Sequence, residues 1–236
     1  MARALAMSTA APPSSPSSDA ARRRRRWRLA SRLAAWLLSL AVAFALGRLT
    51  RRPAPLPPLG RETRAQMIGT RHPSWEIGEV IARQICTRRV TEIILHHTWR
   101  PTAAEYKGEV TVENILRVHT LTNGWRNIAY HYIVAPDGTV WLGCPLNDAG
   151  THTIGRNYDS VAVALILDGD AENPSQVQVE AATAVLSALL ARFHLDPRRN
   201  FGPHTGFHRD YADKTCPGSK ISKQTVLGWL GITDGA

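Results

Sequence analysis

Near the end of this 236-residue chain, the stretch "HRDYADKTCPG" (208–218) brings His208, Lys214 and Cys216 into one loop. Histidine nitrogen and cysteine sulfur both bind zinc, and a cation beside a thiol lowers its pKa. A catalytic zinc site takes three protein ligands and keeps a fourth position open for water. His208 and Cys216 supply two ligands, on a loop long enough to curl round an ion. His96 is the first of the two histidines that end the run "TEIILHH" (91–97), and it stands where a third ligand would be needed. The competing reading is a polar surface loop closed by a Pro-Gly turn. The choice between them rests on the elements that carry these residues.

Those elements alternate. "TEIILHH" is an apolar, β-branched run and reads as a buried strand. "TVENILRVHTLTNG" (111–124) reads as a helix, with Thr111 as its cap, Ile115, Val118 and Leu121 on one face, and Asn123 and Gly124 as its stop. "IAYHYIVAPDGTVWLG" (128–143) reads as a hairpin turning at Pro136 to Gly138. "SVAVALILDGD" (160–170) is continuously apolar, as a central strand should be. "NPSQVQVEAATAVLSALLARFHL" (173–195) opens with Asn173 and Pro174 in cap and first-turn positions. It lines up Ala182, Val185, Leu186, Leu189, Leu190 and Phe193 on one face. A short helix is expected near 222–230. This pattern predicts an α/β fold: a central mixed β-sheet flanked by helices, in a single catalytic domain spanning 66–236.

The net charge of +10 has a local origin. Residues 1–52 carry eleven arginines against Asp19 alone, so the remainder is balanced and no nucleic-acid partner is expected. Residues 1–28 read as a disordered, basic cytoplasmic lead. Residues 29–48 read as a transmembrane anchor or a signal segment. The uncharged run Leu33–Gly47 covers about 22 Å, and Arg32 can snorkel to extend it toward the ~30 Å hydrocarbon core. Ala43-Phe44-Ala45 is a cleavage-site pattern, so anchored and cleaved forms both stand. Either way the arginines stay in the cytoplasm and the rest is exported to the cell envelope, tied to the inner membrane if uncleaved. Residues 49–65 form a stiff Pro-rich linker.

Four segments carry a family resemblance: "IILHHTW" (93–99), "NGWRNIAYHYIVAPDGTVWLG" (123–143), "AGTHTIGRNYDSVAVAL" (149–165) and "HRDYADKTCPG". In order and spacing the chain resembles the zinc-dependent N-acetylmuramoyl-L-alanine amidases, a group that includes bacteriophage lysozyme-type amidases and animal peptidoglycan recognition proteins. The resemblance implies hydrolysis of the amide between N-acetylmuramic acid and L-alanine in peptidoglycan, with Zn2+ as cofactor. It implies His96, His208 and Cys216 as metal ligands and Tyr130 with Lys214 as the catalytic pair. In such a site zinc polarises the amide carbonyl and brings its water toward pKa ~7. Lys214 would stabilise the oxyanion, and Tyr130 would hydrogen-bond the water or carbonyl. His152 falls where the family lines its substrate groove and is a candidate substrate contact.

Other residues receive plainer readings. His97 and His131 alternate away from His96 and Tyr130, toward packing roles. His119 reads as structural, and His204 is a candidate substitute ligand whose spacing to Cys216 does not fit the pattern that the resemblance implies. Trp99 and Trp125 read as wall and core. Cys86 and Cys144 could pair in an oxidising compartment. Some amidases of the wider family place a glutamate on the central strand as general base; Ala164 occupies that position here, so the proton falls to Tyr130 and Lys214. Two rivals remain: a membrane-tethered peptidoglycan sensor without catalysis, and a zinc peptidase cutting within the stem peptide. Non-catalytic relatives lose the cysteine or first histidine, both kept here, and the motifs do not match a peptidase.

Overall fold

The computed structural model describes residues 71–233. The expected basic lead, membrane or signal segment and Pro-rich linker lie outside the described residues. Among the described residues no helix is long and apolar enough to cross a membrane.

Five strands form one mixed sheet in the order β1-β4-β3-β5-β2. They are β1 (Arg71–His72), β2 (Glu92–His97), β3 (Tyr132–Val134), β4 (Val140–Leu142) and β5 (Ser160–Leu165). β2 and β3 both run parallel to β5, and β4 is antiparallel to β3 and β1. The central strand β5 and its neighbour β2, which the Leu95–Phe207 bridge covers on its outer side, are buried along their whole length, which is why they read as apolar runs. The hairpin turn closes where Gly138 N–H donates to the Ala135 carbonyl, with Gly138 at φ 81°.

Strand alternation divides the core between two faces. Ile93, Leu95, Val161, Val163, Tyr132 and Val134 pack with α1 (Ile77–Arg83), α3 (Gln176–Arg192) and α5 (Lys223–Trp229). Ile133, Trp141 and Ile166 pack with Val112, Ile115 and Leu116 of α2 (Glu109–Arg117). Along β2 the same alternation sends His96 to the α2 face, in register with Ala164.

Helix boundaries shift from those expected. α2 begins two residues before Thr111, whose Oγ1 instead accepts the Lys107 N–H. It continues into a π-helical turn, Val118–Thr122, ending at Asn123 before Gly124 at φ 71°. α3 is capped by Ser175, whose hydroxyl accepts the Gln178 N–H, so Asn173 and Pro174 precede the helix. β1, α1, the short α4 (Pro197–Asn200) and a 3-10 turn at His208–Asp210 have no clear period in the sequence. Arg192 of α3 ties α1 down by donating to the carbonyls of Ile81, Ala82 and Gln84.

Candidate metal centre

The loop that carries His208 and Cys216 is held in shape by polar side chains of its own and of the strands beside it. Leu95 N–H donates to the Gly206 carbonyl, so residues 206–207 run beside β2 and deliver His208 next to His96. Gly206 sits at φ 88°, and a Cβ there would lie 2.2 Å from the Asn200 carbonyl oxygen. Buried Glu92 accepts from Gly206 N–H (2.6 Å), the Tyr211 hydroxyl (2.6 Å) and Arg156 (2.8 Å). Arg209 then fastens the loop to itself. Its N–H donates to the Cys216 carbonyl at 2.8 Å, and its guanidinium reaches the carbonyls of Thr215, Gly218 and Ile221. From the β5 side, Asp170 accepts from the Thr215 hydroxyl (2.6 Å) and Ser219 N–H (2.7 Å).

These constraints bring His96, His208 and Cys216 together, with one ligand atom of each within 4.8 Å of the others. Cys216 Sγ lies 3.7 Å from His96 Nδ1, and the His96 and His208 ring centroids are 4.7 Å apart. Cys216 Sγ also receives the His97 backbone N–H at 3.4 Å. Burial, with His152 and His208 nearby, holds His96 well below the usual imidazole pKa. Burial and the Lys214 ammonium lower His208 to about 4. Both rings are therefore neutral, as ligation requires. Burial pushes the Cys216 thiol up to about 12, opposed by the His97 N–H and Lys214. A cation between the three would overturn that preference and hold the sulfur as thiolate. Two imidazoles and one thiol fit zinc, and they leave room for a fourth ligand.

The ligand set opens on a cleft of about 420 Å³, lined also by Trp99, Tyr130, Asp170 and Lys214. The Tyr130 ring is half-buried, 5.3 Å from the His96 ring, and burial with Cys216 nearby raises its pKa. It therefore remains a phenol at neutral pH, able to donate a hydrogen bond. Lys214 is exposed at the rim. Asp170 is the one carboxylate lining this cleft among the described residues, and both its oxygens are engaged within the loop. His152, the candidate substrate contact, is buried and turned onto His96, with its Nδ1 3.2 Å from His96 Nε2.

The remaining histidines serve the frame. His97 Nδ1 accepts the Gly169 N–H, His131 Nδ1 the Ala162 N–H, and His119 Nδ1 the Ala129 N–H. His204 is exposed and stands outside the ligand set. Trp99 lines the cleft, while Trp125 packs on His119. Cys86 and Cys144 are free thiols; each donates to a backbone carbonyl, Leu146 and Ala149 respectively. Sequence reasoning did not foresee the parts played by Glu92, Arg209 and Asp170. Only Glu92 carried a signal, as an acid inside an otherwise apolar strand.

The comparisons with known proteins agree with this frame. A relative among curated proteins is the Enterobacteria phage T3 endolysin, 29% identical over 145 residues, which cover 59% of this chain and 89% of the endolysin. The Klebsiella phage KP32 endolysin is 30% identical over 141 residues, with the same coverage of both chains. Peptidoglycan-recognition protein LB of Drosophila melanogaster is 26% identical over 143 residues, which are 60% of its length and 60% of this chain. The solved structure of that fly protein superposes with a TM-score of 0.53 at 21% identity, over 74% of this chain and 95% of its own. An N-acetylmuramoyl-L-alanine amidase endolysin, LysCS from Clostridium intestinale, superposes at 0.51 and 22% identity, over 62% and 86% of the two chains. A sequence profile of the N-acetylmuramoyl-L-alanine amidases matches residues 87–219, more than half of the chain and every element of the site, and the chain belongs to that family.

Proposed function

We propose that this protein is a zinc-dependent N-acetylmuramoyl-L-alanine amidase that cuts the bond between N-acetylmuramic acid and the L-alanine of the peptidoglycan stem. One observation carries the reading: His96, His208 and Cys216 converge, and His208 and Cys216 line the same cleft as Tyr130 and Lys214. Zinc held there would supply Lewis-acid polarisation and a water of lowered pKa. The residues of this chain do the rest. Tyr130 donates its hydroxyl proton in a hydrogen bond to the scissile carbonyl oxygen or the attacking water, and burial keeps that proton in place. Lys214, close enough to His208 and Cys216 to shift their titration, sets an ammonium beside the oxygen on which negative charge develops. Asp170, the one carboxylate of the cleft among the described residues, is held by Thr215 and Ser219, and Ala164 fills the strand position beside His96.

The relatives' names fit a peptidoglycan substrate, and the retained ligand set with Tyr130 and Lys214 favours catalysis over sensing alone. The test is metal removal. Chelated protein should lose its ability to solubilise purified peptidoglycan, and one equivalent of Zn2+ should restore it. Full activity in the chelated protein would end the zinc reading.

A further inference from the structure

We propose that His152 is a positioning residue: its Nδ1 accepts the Nε2 proton of His96 and so fixes the tautomer and angle of the ring that offers Nδ1 to the metal. This rests on the zinc reading of His96, His208 and Cys216. The geometry requires the chain of tautomers. Cys216 Sγ lies against His96 Nδ1, so that nitrogen is the ligand atom, and a metallated neutral ring must carry its proton on Nε2. Nε2 meets His152 Nδ1 at 3.2 Å, and both rings are buried. His152 Nδ1 must then be unprotonated, and its proton sits on Nε2, which is buried and has no hydrogen-bond partner among the described residues.

His152 is itself held by its loop. Its backbone N–H and that of Thr153 both donate to Asn157 Oδ1, at 3.0 and 2.8 Å, and the Thr153 hydroxyl lies 3.1 Å from His152 Nδ1. Ligand histidines usually pass their second N–H to a carboxylate or a carbonyl. Here a neutral imidazole takes that place, so the ligand set gains no further negative charge. The His152 ring packs against those of His96 and His131 and does not line the cleft, which separates a positioning role from substrate contact.

The experiment measures zinc affinity by chelator competition in the full chain, for wild type, His152→Ala and His152→Asn. Losing such a partner typically costs 10- to 100-fold in metal affinity. His152→Ala should fall within that range, and His152→Asn, whose Oδ1 can accept the same proton, should recover most of it. Affinity in His152→Ala within twofold of wild type would overturn the proposal. Wild type needs no mutation for the second measurement, a long-range 1H–15N correlation of the histidine rings with zinc bound. It should show both His96 and His152 protonated on Nε2; a His152 ring protonated on Nδ1 would overturn the proposal even if a variant failed to fold. Failure of wild type to bind zinc would instead defeat the underlying reading.

Discussion

At the scale of single residues, the proposed site divides into atoms placed to hold a metal and atoms placed to manage charge. Cys216→Ser should abolish stoichiometric zinc in metal analysis, because a hydroxyl does not replace the thiolate among two imidazoles; unchanged metal content would refute its ligand role. Tyr130→Phe and Lys214→Ala should each lower kcat by about 100-fold while zinc stays bound, the scale of losing an acid–base or oxyanion group. Near wild-type turnover in both would point to another base. Asp210 is a poor substitute, since its carboxylate accepts from Phe207 N–H and pairs with Lys223. The meeting of His96, His208 and Cys216 was legible because their side chains bind zinc and stand at a strand end and in one loop, whereas Tyr130 and Lys214 followed from the family resemblance. The orientation of His152 was not: it depends on a contact between residues fifty-six apart in the chain.

At the scale of elements, two glycines set how closely the β5 exit approaches the cysteine turn. A Cβ at Gly169 would lie 2.0 Å from the Pro217 carbonyl oxygen, and one at Gly218 would lie 2.1 Å from the Gly169 carbonyl carbon. Gly169→Ala should therefore displace the Cys216 turn and weaken zinc binding, although residue 169 touches no ligand atom. Chelator competition would check this, and an unchanged affinity would show that the turn can yield. The alternation of strands and long helices could be read from hydrophobic period, since β2, β5 and α3 bury unbroken or periodic apolar surface. β1 and α4 could not, because two- and four-residue elements have no period to detect. The true caps were missed for a local reason: Asn173 and Thr111, within a turn of Ser175 and Gly108, have comparable capping propensity.

At the scale of the whole molecule, the buried histidines make stability depend on pH. Burial lowers His119 and His131 to about 4, from an ordinary value of 6.5. Below pH 6.5 the unfolded chain takes up protons that these rings refuse in the folded state. Stability is thus complete above 6.5 and is lost as pH falls from 6.5 toward 4, by up to ~3 kcal/mol per ring. Urea midpoints of the metal-free protein should decline across that window, and His131→Asn, which can still accept the Ala162 N–H, should flatten the decline; a flat wild-type profile would contradict it. The arginine block and apolar run of residues 22–47 lead us to propose export, so a C-terminal reporter should function only outside the cytoplasm, and activity confined to the cytoplasm would refute this. The central claim concerns the bond that is cut, and mass spectrometry of purified peptidoglycan digested by the full chain reads it directly. The account predicts free stem peptides beginning with L-alanine beside uncut glycan strands, whereas new reducing ends or cleavage between stem amino acids would contradict it.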